Sequence, residues 1–153
     1  RILVRDKEVG RDMDFPEDMG LIIETPGFLP GVSGLKNLKI LASLRRIADE
    51  KKIRETMERV GLDPDLKKNV NKYSLGMRQR LGIAQAIMED PSILILDEPF
   101  NGLDKHGVAQ IRNLIKDLRS EGRTIILASH NQADIDELCD TVCEMDDGNM
   151  WRK

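Results

Sequence analysis

The chain has 153 residues, the size of one domain. Charged residues make up 33% and apolar residues 40%, a globular composition rather than a membrane-embedded or disordered one. Lys plus Arg number 24 against 27 Asp plus Glu, so the net charge of -3 argues against a dedicated nucleic-acid binder, which needs a basic surplus. No run of about 18 apolar residues is present to cross a bilayer, and no secretory leader is read. Cys139 and Cys143 fit neither a redox pair nor a zinc set, and both are expected as buried or half-buried free thiols of a cytosolic protein. Aromatics are scarce, so the core must be mostly Leu and Ile.

In chain order, Arg1–Arg5 reads as a short strand, Asp6-Lys7 as a turn and 8–16 as polar and irregular. Met19–Ile23 reads as a buried strand that stops at Glu24-Thr25-Pro26-Gly27. Ser33 is placed to cap a helix from Leu35 to about Ile47, with Leu35, Leu38, Leu41 and Leu44 as its apolar stripe. Asp49 opens a second helix that buries Ile53, Met57 and Val60 and stops at Gly61. Lys67, Lys68 and Lys72 read as a solvated basic face.

The most informative stretch is Tyr73–Asp104, YSLGMRQRLGIAQAIMEDPSILILDEPFNGLD. Ser74 is a good N-cap for a helix to about Met88, with Met77, Leu81, Ala84 and Met88 facing the core. A helix N-terminus is also an anion site. Ile93–Leu96 has no alternation, which suits a strand buried on both faces of a parallel sheet. Such strands deliver their C-terminal ends to a ligand crevice. Two adjacent carboxylates there, Asp97 and Glu98, are costly unless a cation or a proton-transfer task holds them. Asp97 reads as the metal-side acid and Glu98 as the water-activating one, against the plainer reading of a turn cap and a solvated acid.

Beyond it, 107–119 reads as a helix buried through Val108, Ile111, Leu114, Ile115 and Leu118. Thr124–Ala128 reads as a third buried strand ending at Ser129-His130, and His106 as a surface residue. Ala133–Cys139 reads as a short acidic helix and Thr141–Met145 as a last strand. Asp146-Asp147-Gly148 reads as a turn, with Met150-Trp151 beginning whatever follows. Strand and helix alternate as in an α/β sheet.

These motifs resemble the ATP-binding cassette family, the ATPase subunits of ABC transporters. Tyr73–Met77 resembles its LSGGQ signature, Ile93–Glu98 its Walker B strand, Asn101–Asp104 its D-loop, and Ser129-His130 its switch histidine. Leu75 and Met77 depart from the signature, while Ser74 and Gly76 keep it. Glu24 stands where the family has its Q-loop Gln, and Glu24-Thr25-Pro26 resembles a variant of bacterial drug and peptide-antibiotic exporters. The resemblance implies an α/β fold, a P-loop NTPase-like, mostly parallel sheet flanked by helices, with an inserted helical subdomain. It divides the chain into an α/β core (1–32 and 89–153) and a helical subdomain with the signature (33–88).

The resemblance further implies ATP and Mg²⁺ as ligands. Glu98 would be general base, His130 a γ-phosphate contact, and Asp97 a Mg²⁺ holder through water. Glu24 would be a possible second metal-side acid. Ser74, Gly76 and Asp104 would face a nucleotide shared with a second ATPase subunit in a head-to-tail dimer. A transmembrane permease subunit would be the other partner, which places the protein on the inner face of the cell membrane. No nucleic acid is expected. No Gly-Lys pair occurs in the chain, so the phosphate-cradling loop, the first strand and the following helix are expected upstream. The 153 residues alone are expected to be inactive. Two other functions stand beside this one. One is a soluble ATPase of the superfamily in DNA repair or translation, although the short span from Glu24 to Ser74 leaves no room for a long coiled coil. The other is a non-catalytic docking fragment.

Overall fold

Apolar runs without alternation become the central sheet. A computed structural model describes residues 1–24 and 27–153. Met19–Ile22 (β3), Ile93–Asp97 (β4) and Thr124–Ala128 (β5) form a three-stranded parallel sheet in the order β3-β4-β5. Ile22 lies opposite Leu96, and Leu96 opposite Leu127. Parallel strands need long crossovers, and helices supply them here. Gly34–Arg45 (α1), Glu50–Arg59 (α2) and Leu75–Ile87 (α3) lie between β3 and β4. Lys105–Ser120 (α4) links β4 to β5, and Gln132–Leu138 (α5) follows.

Each of the first three helices starts where a short polar side chain can take an orphan N–H. Ser33 accepts from Lys36 N, Asp49 from Lys52 N and Ser74 from Met77 N. Gly61 follows α2 at φ 77°, a left-handed value that glycine adopts without strain. α1 packs on α2, α2 on α3, and α3 on β3. The core therefore runs without a break from Leu38, Ile53 and Met57 through Leu81 to Leu94, Leu96 and Ile111. Asn37, buried in α1, accepts from Leu29 N and donates to the Leu29 and Ser33 carbonyls, which pins the loop ahead of the helix.

The strands expected to be buried on both faces are buried on one. Gly20, Ile22, Leu94 and Leu96 share the face turned to the core. On the opposite face Ile93 and Ile95 are half-buried and Ile126 is 55% exposed. Among the described residues β3 and β5 are the two edge strands of this sheet. The expected α1 stripe also ends early. Leu38 is fully buried, but Leu44 lies near the helix end and projects into solvent. Cys139 is half-buried, whereas Cys143 is exposed on a strand of a terminal hairpin.

Two hairpins flank this core. Leu3–Val4 (β1) and Lys7–Glu8 (β2) pair across Arg5 and Asp6, both at positive φ. Lys7 is thus strand rather than turn, because two residues suffice for a primed turn. Cys143–Asp146 (β6) and Asn149–Arg152 (β7) pair across Asp147-Gly148. Met150-Trp151 is the return strand of that hairpin. Asp18 joins the sheet's lower end to the first hairpin: it accepts from Ser92 N and Ser92 Oγ and pairs with Arg5 at 2.8 Å.

Gly20 faces the α3 backbone so closely that a Cβ would lie 1.9 Å from the Ala86 carbonyl oxygen. Gly20→Ala must therefore push strand from helix, and urea denaturation should show a loss of about 1–3 kcal/mol; unchanged stability would contradict this contact. The Ser92 hydroxyl and N–H, aided by Arg5, hold the Asp18 carboxyl below its ordinary value of 3.8. A depressed carboxyl contributes stability that is present above the unfolded pKa and disappears as pH falls through the folded one. The stability advantage of the wild type over Asp18→Asn should therefore hold at neutral pH and shrink below pH 3.8, read as melting temperature against pH.

Candidate functional site

The sheet brings its carboxylates to one end. β3 and β4 run parallel in register, so Glu24 and Glu98 both lie just beyond neighbouring strand ends. Asp97 closes β4 opposite Ala128 of β5, and Ser129 and His130 follow at once. Alternation along β4 sets Asp97 on the same face as Ile93 and Ile95, away from the core.

Glu98 has φ 46°, a left-handed conformation that a glutamate adopts at a cost. Contacts on every side hold it there. Its N–H donates to the Ala128 carbonyl at 2.9 Å. Its own carbonyl accepts from Asn101 N–H and from the Gln79 side-chain amide, each at 3.2 Å. Its carboxylate Oε1 accepts the His130 N–H at 2.9 Å and lies 2.8 Å from His130 Nδ1. The buried Pro99 follows and locks the exit. The carboxylate remains partly accessible, at 28% side-chain exposure, while the imidazole beside it is 81% exposed. A fixed, partly wet carboxylate paired with an exposed imidazole can take a proton from water and pass it on.

The second half of the site is the start of α3. Ser74 uses its hydroxyl on the Met77 N–H, so the cap role is met within the chain. Gly76 lies against the Asn101–Asp104 turn, and a Cβ there would meet the Gly102 carbonyl oxygen at 2.7 Å. Gly102 has φ 74°, with the Leu75 side chain packed on it. The Ser74–Gly76 segment and the turn after Glu98 are therefore one packed unit. Asp104 caps α4 by accepting from Gly107 N at 2.7 Å. The other expected residues fall outside this unit. Glu24 is exposed at φ 55° and makes no side-chain hydrogen bond or ion pair among the described residues; its neighbours Thr25 and Pro26 lie outside them. His106 is on the surface.

Gln79 is the residue that the motif reading missed. It is 4% exposed, on the α3 face shared with Ile83 and Ala86, and its amide reaches the Glu98 carbonyl. No local signal marks it: Gln79 lies off the expected Met77, Leu81 and Ala84 face, and it is enclosed because α3 is buried on several faces. A second buried polar group, Asp134, supports the other wall. Arg112 of α4 binds Asp134 and Glu137 of α5, and its guanidinium lies 6.0 Å from the Phe100 ring. The Asp134 carboxylate beside it raises the Arg112 pKa further above its ordinary value.

Among the described residues, no group of three or more His, Cys, Asp or Glu could hold a metal ion by itself. Asp97, a strand-end carboxylate on an accessible face, could offer one oxygen ligand to a cation that brings its other ligands with it. No helix among the described residues is long and apolar enough to cross a membrane.

Comparison with known proteins places the chain. The family described as ABC transporter matches residues 1–101. The uncharacterized ABC transporter ATP-binding protein YybJ of Bacillus subtilis is 43% identical over 97% of this chain and 68% of its own length. The bacitracin transport ATP-binding protein BcrA of Enterococcus faecalis is 45% identical over 86% of this chain. A fluoroquinolones export ATP-binding protein of Mycobacterium tuberculosis is 39% identical over 90%. The chain spans 43% and 45% of the lengths of those last two. A solved dimer of an ATP-binding cassette, in a post-hydrolysis state bound to ADP and Pi, superposes with a TM-score of 0.81. That match covers 97% of this chain and 71% of the other at 18% identity, and it shows the fold.

The capping role of Asp104 is directly testable. Asp104→Ala removes the acceptor for the Gly107 N–H and should lower stability by about 1 kcal/mol in thermal denaturation. An unchanged melting curve would mean that the carboxylate does not cap α4.

Proposed function

The chain belongs to the ABC transporter family, and we propose from that premise that it is part of an ATP-hydrolysing subunit powering export. The observation that carries this reading is Glu98, held at a strand end beside Asp97 with its carboxylate on His130. In the whole protein Glu98 takes the proton from the attacking water. His130, released from Glu98, fixes the terminal phosphate. Asp97 and, through its loop, Glu24 stand on the metal side. Mg²⁺, when bound with the nucleotide, neutralises phosphate charge. Preorganised electrostatics then supply most of the rate, which explains why so many contacts hold one glutamate.

Ser74 and Gly76 at the N-terminus of α3 present their side of the site to the nucleotide of a second subunit. Asp104, on the turn packed against them, couples the two sites. Residues 33–88 act as the helical subdomain that meets a transmembrane permease subunit on the inner face of the membrane. The exposed Ile40, Leu44 and Ile47, beside a cleft of about 560 Å³ between α1 and α2, suit such docking. Relatives named for bacitracin transport and fluoroquinolones export make an antibiotic the favoured class of cargo.

In the full-length protein, phosphate release should fall by about 10²–10⁴-fold in Glu98→Gln while Mg-ATP still binds; turnover at the wild-type rate would overturn the assignment of the base. The 153 residues alone contain no Gly-Lys pair to cradle phosphates. Calorimetric titration of this chain with Mg-ATP should show no micromolar binding, and a micromolar site would contradict the proposal.

A further inference from the structure

Gln79 is buried on α3, and the Glu98 turn leaves a carbonyl for it to hold. Uncharged amides are placed in cores only where they find partners, because an unmet donor costs about as much as a lost hydrogen bond. The Gln79 amide finds its partner at the one backbone carbonyl whose orientation sets the Glu98 side chain. Glu98 is the residue at which β4 leaves the sheet in a left-handed conformation. Its N–H is tied to β5 and its carbonyl to α3, so the peptide on either side is fixed by a different element. Asn101 N–H shares the carbonyl, but it belongs to the same turn and moves with it. Among the described residues, Gln79 is the α3 side chain that hydrogen-bonds the Glu98 carbonyl itself, whereas Leu75 and Gly76 pack further along the turn on Gly102.

We propose that Gln79 is a positioning residue that holds the Glu98 turn so that the Glu98 carboxylate stays on the His130 backbone N–H, whichever way the imidazole turns, linking the α3 start to the proposed base. The argument rests on the ATPase reading for its purpose, but its geometry is testable without nucleotide. Gly76 against Gly102 and Gln79 against Glu98 place two successive contact points of α3 along the same turn. A small rotation of α3 at Ser74–Gly76 therefore reaches Glu98 through Gln79. Loss of the amide frees the Glu98 peptide to rotate, and the carboxylate leaves the His130 N–H.

The readout is the His130 backbone amide in ¹H–¹⁵N spectra of this chain without nucleotide. Glu98→Ala defines the position of that amide when no carboxylate accepts it. Gln79→Met, of similar volume without the donor, should move the His130 amide at least half of the way to that position. Gln110→Met is the control. It removes a half-buried amide of α4 that bonds Arg80 at 2.7 Å, and it should leave His130 in place. If Gln79→Met does not fold, Gln79→Asn withdraws the donor by one methylene and should give the same displacement. A folded Gln79 variant with the His130 amide at its wild-type position would overturn the proposal, as would an equal displacement in Gln110→Met. In the full-length protein Gln79→Met should lower kcat with the KM for Mg-ATP unchanged. If that protein hydrolyses no ATP while the His130 displacement is present, the ATPase reading fails and the positioning role stands.

Discussion

The arrangement depends on one constraint: a glutamate must be held in a left-handed conformation at the end of a buried strand. Nothing in the Glu98 side chain favours that backbone. Three elements impose it together. β5 takes the N–H, α3 takes the carbonyl, and the His130 segment takes the carboxylate. Each alone is an ordinary hydrogen bond, worth about 1 kcal/mol net. Together they outweigh a strain of about 1–3 kcal/mol, provided the elements are themselves rigid.

That rigidity comes from the one-sided core. Leu94 and Leu96 sit fully buried under helices whose apolar faces continue through Leu81, Ile111 and Leu118. Gly20 lets α3 approach β3 to backbone contact. α3 is thereby clamped to the sheet along its length and to the Glu98 turn at its start. Charge pairs such as Arg112 with Asp134 and Glu137 fasten α5, and with it the loop that carries His130. The acids, the imidazole and the α3 N-terminus share one rigid frame although they lie far apart in sequence.

Much of this was legible in the residues. Ser33, Asp49 and Ser74 announced their helices because N-capping is a local interaction. The apolar runs announced the three strands, and the motif order announced that Asp97, Glu98 and His130 fall at one end of the sheet. What was not legible depends on tertiary contacts. Ile126 reads like Leu94 in sequence, yet only the packing of helices decides which strand face they cover. Leu44 keeps the three-residue spacing of its stripe, but three residues turn an α-helix by only about 300°, so by Leu44 the stripe has rotated off the face that buries Leu38. The Asp147-Gly148 turn was a local signal for the second hairpin that the motif reading passed over. Gln79 went unread because a glutamine in a helix looks like surface until its partner carbonyl, nineteen residues away, is in place.

The central claim is that the β4 end is built around a terminal phosphate. The most direct measurement is a crystal structure of the full-length protein with Mg²⁺ and a non-hydrolysable ATP analogue. The account predicts the γ-phosphate at this sheet end, with Asp97 on the metal side and the Glu98 carboxylate facing a water in line with the phosphorus. It also predicts that the His130 side chain turns from Glu98 to the phosphate. A nucleotide bound with its γ-phosphate away from Asp97 and Glu98, and His130 still on the carboxylate, would contradict it.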